Sequence, residues 1–380
     1  GNVGRLAVER LLKNGHEVPA FARRPGKIGI DDPKLRLQAG DAFDAADVEN
    51  AVRGHEAVLI TIGAGIAIAA SGCNPQQAGG LTVRLSVATG GTGGVYYPYG
   101  GGVAKVISDH LDGVEATAEV TAGTVDNLKF IANREADLAF ALADSLDDAA
   151  GGRGVFADFG AVPALALAVL YDNLNQLVTL EGMGIETVAD LRDRIVSTGA
   201  PGSGTEITAL RVLEGAGLNP DTDIRKQSLG AAQSVNALKD GKIDAFFWSG
   251  GIPTGSVLDL ASTPGRTIKL VPNTGTLPFL HEHYGDSVYH AVTIPSITYP
   301  GMSGDVEVVG VANILVVHEE MPEDLVYRIT QALFDHRDVL VAIHPEAAKL
   351  TLENAVVGST VPFHEGAIRY YREQQAWTGS

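Results

Sequence analysis

The sequence LSVATGGTGGVYYPYG, residues 85–100, places a glycine-rich turn between an apolar run and a stretch with helical spacing. Apolar residues recur after the turn at Tyr99, Val103 and Leu111, which is typical of a helix. A strand, a glycine turn and a helix N-terminus in succession present free backbone N–H groups to an anion. A tight turn without any ligand is the alternative. No Gly-Lys-Ser/Thr follows, so a P-loop is excluded, and Tyr96 replaces the last glycine of GxGxxG.

The composition sets limits on partners. A chain of 380 residues has room for two or three domains. The net charge of −18 argues against nucleic acid and anionic membranes as partners, although a small anion is not excluded. The single cysteine, Cys73, excludes an intramolecular disulfide and a cysteine-rich metal site. The longest uncharged apolar run, 57–70, is too short for a membrane-spanning helix, so we expect no span.

The first 65 residues alternate between helix and strand patterns. A helix pattern follows Gly-Asn-Val-Gly at the start, a strand pattern at 17–22 ends in two arginines, and a strand pattern at 57–62 runs into a glycine. This segment resembles the NmrA-like, atypical short-chain dehydrogenase type of NAD(P)-binding protein. The resemblance implies that Gly1 and Gly4 belong to the glycine-rich cofactor turn and that Arg23 and Arg24 contact a 2′-phosphate. It also implies that Asp41 contacts the adenine and that Gly63 lies beside the cofactor.

The resemblance is incomplete. The first strand and first glycine of such a domain are absent, and nothing after Gly65 continues its alternation. Without its central strand, the sheet loses the crevice in which a dinucleotide lies. We therefore expect residues 1–65 to be a remnant or fusion, a partial Rossmann-like segment with no cofactor bound. An NAD(P)-dependent reductase or epimerase, or a fusion with both functions, is the alternative.

Residues 57–73 allow two interpretations. An apolar run of signal-peptide length ends in small residues directly before Cys73, and so resembles a bacterial lipoprotein cleavage site with Cys73 as the lipidated residue. A buried strand followed by a linker is the alternative. Either interpretation makes residues 66–80 a boundary.

From residue 81 onward the strand and helix patterns alternate regularly, which predicts an α/β fold with mostly parallel strands. An aspartate stands three residues before a phenylalanine in two similar helix-to-strand passages, at Asp137 and at Asp244. We therefore predict two similar lobes, one from residues 81–175 plus 296–380 and one from residues 176–295. Because ligands lie at the carboxyl ends of strands in such sheets, the strand-end loops should converge on a cleft.

A set of ordered motifs carries a second resemblance. They are ATGGTGGVYYP, AEVTAGTVDNL, EADLAF, GAPGSGTE, ALKDGKIDAFFWSGGIPTG, TYPG and MPEDLVYRITQALF. On these motifs, residues 81–373 resemble the TAXI family of TRAP-transporter solute receptors. The resemblance implies a two-lobed fold of the type II periplasmic-binding-protein kind, located in the periplasm or at the cell surface. It also implies a small carboxylate or glutamate-like amino acid as solute and a TRAP-type membrane permease as partner.

Carried onto this chain, the resemblance places ligand contacts at twelve residues: Thr92, Gly93, Tyr96, Thr121, Thr124, Asn127, Asp144, Ser203, Gly204, Thr205, Trp248 and Pro253. Leu142 stands where many relatives have glutamine, which removes one polar contact.

None of the ligand loops contains arginine or lysine. We therefore expect a ligand carboxylate to be held by backbone N–H groups and by the hydroxyls of Thr92, Ser203 and Thr205. Asp144 is a candidate partner for an ammonium group, with helix N-capping as its alternative. Trp248 is expected to pack on the carbon chain of the ligand.

No catalytic set is found in the sequence. There is no Gly-x-Ser-x-Gly, and the single cysteine lies in the predicted linker. His281 and His283 would project from one side of a strand, but no third metal ligand accompanies them. The sequence therefore favours a binding receptor without metal, and not an enzyme.

Overall fold

The computed structural model describes residues 2–13, 17–22, 29–39, 57–62, 65–70 and 82–377. Contacts divide the chain into two compact units, Gly1–Arg84 and Leu85–Ser380. Each unit is described by itself below.

The first unit contains one helix and two strand pairs among its described residues. Helix α1 spans Asn2–Lys13, strands β1 (Val18–Ala22) and β2 (Leu35–Ala39) pair in parallel, and β3 (Ala57–Ile62) pairs with β4 (Gly65–Ala70) in antiparallel fashion. The helix and the strands at 17–22 and 57–62 agree with the sequence prediction. Strand β4 occupies the start of the predicted boundary segment 66–80. Several residues singled out above lie outside the described part of the chain: Gly1, Arg23, Arg24, Asp41, Gly63 and Cys73.

The second unit is built on one sheet of ten strands within the described residues. Its strands are β5 (Val83–Ala88), β6 (Val114–Glu119), β7 (Leu138–Leu142), β8 (Ala164–Leu180), β9 (Ile195–Ser197), β10 (Arg225–Gln227), β11 (Ala245–Gly250), β12 (Ile268–Val271), β13 (Tyr289–Ile294) and β14 (Val306–His318). Its helices are α2 (Tyr96–His110), α3 (Thr124–Asn133), α4 (Ala143–Ala150), α5 (Gly204–Gly215), α6 (Ala231–Lys239), α7 (Gly255–Ala261), α8 (Leu277–Tyr284), α9 (Glu323–Asp335), α10 (Arg337–Ile343) and α11 (Glu365–Glu373).

The strand order is β10-β9-β11-β8-β14-β7-β5-β6, with β12 paired to β8 and β13 paired to β14. Strands β10, β9 and β11 run parallel to one another, as do β5 and β7, whereas the central β8 and β14 pair in antiparallel fashion. We call the part built on β5, β6 and β7 the first lobe and the part built on β9, β10 and β11 the second lobe. The long central strands therefore belong to both lobes and join them.

Strand β8 runs through two apolar stretches and the polar residues between them. The polar residues tolerate burial because they find partners inside the fold. The Nδ2 of Asn173 donates to the Tyr96 hydroxyl at 3.1 Å, and the Nδ2 of Asn175 donates to Ser249 Oγ at 2.9 Å.

The core of each lobe follows the apolar spacing of its helices. In α2, Tyr99, Val103 and Ile107 are fully buried, as the spacing predicts. In α5, however, the buried face includes Arg211 and Val212, while Ile207 and Leu210 are only partly buried. Arg211 lies on this buried face because its guanidinium forms an ion pair with the carboxylate of Asp148.

The tail at 344–377 contains one described α-helix, α11, and the proline at 362 and Gly358 (φ +90°) precede it. One prediction is corrected by the structure. The residues His281 and His283 lie on helix α8 and not on a strand. A proline in the first turn of α8 favours helix initiation there.

Candidate functional site

A cavity of about 330 Å³ lies between the two lobes of the second unit. The first lobe contributes the loops that follow β5, β6 and β7, and the second lobe contributes the starts of α5 and α6 and the end of β11. The lining consists of residues 90–96, 120–124, Leu142, Ala200, 203–205, 230–233 and 248–250. The loops at the carboxyl ends of strands therefore converge on one space.

Five helices begin at this cavity. The residues that precede the first turns of α2, α3, α4, α5 and α6 all belong to its lining, and they are Val95, Gly123, Leu142, Ser203 and Gly230. The first N–H groups of a helix have no acceptor within the helix, and the helix dipole adds positive potential at the same end. Some of these N–H groups are already used within the fold: those of Val125 and Asp126 donate to the carbonyl of Gly202, and that of Glu206 donates to Ser203 Oγ. The helix starts therefore place positive potential around the cavity.

Glycines allow the lobes to approach closely around the cavity. A Cβ on Gly94 would lie 2.8 Å from the Cη2 of Trp248, on the opposite lobe. A Cβ on Gly204 would lie 2.6 Å from the Cδ1 of Leu142, again across the cleft. At Gly91, by contrast, a Cβ would meet nothing within 4 Å. The glycines at 94 and 204 therefore serve the contact between lobes.

Two buried hydroxyls in the lining have a free proton. Thr205 Oγ1 accepts from the Ser249 N–H at 3.2 Å, and Ser249 Oγ accepts from the Nδ2 of Asn175 at 2.9 Å. Thr205 is 4% exposed and Ser249 is 7% exposed. Within the described chain neither hydroxyl donates a hydrogen bond, so both protons are available to a molecule in the cavity. Thr92 is exposed at the rim of the same cavity.

The Ser203 hydroxyl has a different role from the one predicted. Its Oγ donates to the carbonyl of Ala200 at 2.7 Å and accepts from the Glu206 N–H at 3.2 Å, which makes it the N-cap of α5. Its proton is therefore occupied within the protein, and a ligand carboxylate could accept from this hydroxyl only if the bond to Ala200 were broken. The backbone at Ser203 still lines the cavity.

Two threonines of the first lobe also use their hydroxyls within the fold. Thr121 Oγ1 lies 2.7 Å from the Oδ1 of Asn127 and accepts from the Gly123 N–H at 3.1 Å. Thr124 Oγ1 accepts from the Leu142 N–H at 3.2 Å. These hydroxyls hold the loops in place.

The structure brings nine of the twelve predicted ligand residues together at the cavity. They are Thr92, Gly93, Tyr96, Thr121, Thr124, Ser203, Gly204, Thr205 and Trp248. Their contact with a ligand stays a prediction. Asn127, Asp144 and Pro253 do not belong to the lining.

Asn127 lies beneath the cavity floor. Its Nδ2 donates to the carbonyl oxygens of Thr89 at 2.7 Å and Phe140 at 2.8 Å. The side chain thus ties the ends of β5 and β7 together, and it acts on the site through the loops. Pro253 follows Ile252 through a cis peptide bond and lies beyond the cavity wall.

Asp144 belongs to a buried network next to the cavity. Its Oδ2 accepts from Thr208 Oγ1 at 2.8 Å and from the Tyr289 hydroxyl at 3.0 Å, while its Oδ1 accepts from the Ser145 N–H. Arg211 donates to the same Tyr289 hydroxyl at 2.9 Å. Asp144 is therefore saturated. It is also not an N-cap, because Leu142 occupies that position of α4.

The aromatic walls present rings and not polar atoms. Trp248 Nε1 donates to Thr254 Oγ1 at 2.9 Å, so its indole N–H is occupied. Burial raises the pKa of the Tyr96 hydroxyl well above its usual value, and that hydroxyl therefore stays neutral. Leu142 adds an apolar side chain to the lining.

Residues 230–233 also line the cavity, although they are not among the residues predicted from the sequence. This segment forms the start of α6 and closes the second-lobe side of the cavity. Its signal was a glycine between a short strand pattern and a helix pattern, the same signal that identified residues 85–100. Without the repeated glycines of that stretch, Gly230 was not conspicuous.

No charged side chain and no histidine is found among the described residues that line the cavity. The described ranges contain no cluster of three or more His, Cys, Asp or Glu able to hold a metal ion. No helix within those ranges has the length and hydrophobicity needed to cross a membrane.

Comparisons with known proteins give the following matches. A family model described as NAD(P)H-binding matches residues 1–87. Among solved structures, PhnD1 from Prochlorococcus marinus in complex with methylphosphonate is 11% identical with a TM-score of 0.48, covering 77% of this chain and 96% of that one. The periplasmic binding protein BugD is 15% identical with a TM-score of 0.48, covering 78% and 94%. SsuA from Escherichia coli, a periplasmic aliphatic sulphonate binding protein, is 14% identical with a TM-score of 0.40, covering 70% and 75%.

The family model that decides the assignment matches residues 87–374, which is most of the chain. The expected α/β fold of the periplasmic-binding-protein type is confirmed, with two lobes joined by long central strands. The chain belongs to the NMT1-like family.

Proposed function

We propose that this protein is a solute receptor that binds a small organic acid in the cavity between its lobes. The observation that carries the proposal is the convergence of five helix N-termini on a cavity whose described lining contains no charged side chain. Each helix end is equivalent to roughly half a positive charge, so an anion is the ligand that this potential favours.

The available donors fit a carboxylate. The hydroxyls of Thr205 and Ser249 belong to the second lobe, and both have a proton without an acceptor in the described chain. The start of α2 in the first lobe lines the same space, and the first N–H groups of a helix have no acceptor within the helix. A carboxylate has two oxygens with about four lone-pair sites, so it can accept from both lobes at once. Binding would then stabilise the contact between the lobes.

The motif resemblance extends the proposal to the transport system. Residues 81–373 carry the ordered motifs of TAXI receptors, so we infer a TRAP-type permease as the partner that takes up the released solute. The receptor would act outside the cytoplasm. Lipidation at Cys73, which lies outside the described residues, is the accompanying proposal for its attachment to the membrane.

The test is calorimetry of the full chain with a panel of small carboxylates. Thr205→Val removes the buried hydroxyl and should weaken binding by about 1–3 kcal/mol. Thr222→Val is the matched control, because Thr222 is exposed and lies outside the cavity lining. An unchanged affinity of the Thr205 variant, or the absence of any carboxylate that binds, would refute the proposal.

A second function is favoured for the first unit by its NAD(P)H-binding family match. We propose that residues 1–87 belong to a dinucleotide-binding fold fused to the receptor, with helix α1 and the parallel pair β1 and β2 as its described parts. Titration of NADPH with the full chain, followed by the anisotropy of NADPH fluorescence, tests this. If the anisotropy does not rise, this proposal is refuted, and residues 1–65 are interpreted as a remnant that binds no cofactor.

A further inference from the structure

The described cavity lining has no carboxylate that could pair with the ammonium group of an amino acid. An amino acid carries an ammonium group beside its carboxylate, and a buried ammonium needs a carboxylate or several free acceptors. No aspartate or glutamate belongs to the described lining. Asp126 and Glu206, in the first turns of α3 and α5, lie outside it as well.

The nearest buried candidate, Asp144, is already satisfied. Its carboxylate accepts from Thr208, Tyr289 and Ser145, and it is 1% exposed. Reaching the cavity would require it to break these bonds. Arg211, which donates to the Tyr289 hydroxyl, would then lose the nearby negative charge of Asp144.

The buried hydroxyls in the lining have limited capacity to accept from an ammonium group. In Thr205, Ser249 and Thr124 the oxygen already accepts one hydrogen bond from the protein. What remains unused on Thr205 and Ser249, each more than nine-tenths buried, is the proton and one neutral lone pair. An ammonium group brings only further donors, and the five helix N-termini repel its charge.

We propose that the cavity selects organic acids that lack an ammonium group, such as 2-oxo acids, over the corresponding amino acids. This inference rests on the proposed function and narrows it to a substrate class. The acid end meets backbone N–H groups and the two hydroxyls. The remainder of the molecule meets the rings of Trp248 and Tyr96 and the side chain of Leu142.

The experiment compares matched pairs on the full chain by calorimetry at pH 7.5. The pairs are pyruvate with alanine, 2-oxoglutarate with glutamate, and 4-methyl-2-oxopentanoate with leucine. We expect at least one oxo acid to bind, and its amino acid to bind roughly 100-fold more weakly because its charge is buried unpaired. Equal or tighter binding of the amino acids overturns the inference and leaves the proposed function intact. Binding of neither series overturns both.

A pair of isosteric variants locates the binding. Gln233→Glu places a carboxylate at the start of α6 in the cavity lining, and it should weaken oxo-acid binding roughly 10-fold through repulsion. Asn236→Asp makes the same charge change on an exposed position of α6 outside the lining, and it should leave affinity within about twofold. Equal effects of the two variants would overturn the placement of the acid in this cavity.

Discussion

Two neighbouring regions between the lobes, the cavity and a buried network around Asp144, differ in their charge and in how their polar groups are paired. The cavity has no charged side chain in its described lining, and the protons of two buried hydroxyls there have no acceptor in the described chain. The adjacent network, formed by Asp144, Asp148, Thr208, Arg211 and Tyr289, is buried, charged and internally paired. The charged groups are thus satisfied by one another, and none of them belongs to the described lining.

The comparison also explains why Asp144, a predicted ligand contact, does not belong to the described lining. Asp144 stands directly after a strand that ends at the cavity, which is where a ligand-binding carboxylate is expected. Leu142 lines the cavity, whereas the side chain of Asp144, two residues later, points to α5 and β13. A buried charge needs partners, and Thr208 on α5 and Tyr289 on β13 supply them.

The largest effect is expected from breaking the charged network. Arg211→Met leaves the carboxylates of Asp144 and Asp148 without their counter-charge, and should lower the free energy of unfolding by about 3–5 kcal/mol. Urea denaturation measures this. Arg192→Met is the control, because Arg192 pairs with Asp223 at 2.8 Å while its side chain is 53% exposed. Equal losses in both variants would show that the network adds no more than a surface ion pair.

A smaller effect is expected at the cavity rim. Gly204→Ala forces a Cβ to within 2.6 Å of Leu142 Cδ1 and 2.8 Å of Thr124 Oγ1. Overpacking of this kind costs about 1–3 kcal/mol, and it should weaken ligand binding because it pushes the lobes apart. Gly91→Ala is the control, since its Cβ would meet open space. Calorimetry and thermal unfolding of both variants measure the difference, and a harmless Gly204→Ala would contradict the close approach of the lobes.

The smallest effect is expected from an exposed pair beside the network, and it depends on pH. His290 Nε2 lies 3.2 Å from Asp172 Oδ1, and this hydrogen bond raises the pKa of the His290 imidazole. Burial alone would raise the pKa of Asp172, but the bond and charge of His290 lower it. The folded pKa of His290 exceeds its unfolded value of about 6.5, so its contribution is present below pH 6.5 and is lost as pH rises through the folded pKa.

His290→Gln should therefore lower the free energy of unfolding at pH 5.5 by about 0.2–1 kcal/mol, the range for exposed pairs. The difference from the unmodified protein should shrink by pH 8.5. Denaturation at both values measures it. A difference that grows with pH would show that the neutral imidazole, and not its charge, supports this part of the sheet.

The sequence by itself determined the strand, glycine turn and helix at residues 85–100, the alternation of strands and helices that follows, and the absence of basic residues from the ligand loops. These features are local, because apolar spacing sets the type of element and glycine sets where the backbone approaches closely. The same spacing predicted that strand-end loops converge.

Only the tertiary structure decided which polar atoms remain free at the cavity. Thr205 and Ser249 are 44 residues apart. The N–H of Ser249 donates to Thr205 Oγ1, so that oxygen uses one lone pair within the fold and keeps its own proton free. The occupation of Ser203 as a helix cap, the inward turn of Asp144 and the participation of Gly230 are likewise set by neighbours from elsewhere in the chain. A polar side chain binds whichever partner the fold places nearest, and spacing along the chain does not specify that partner.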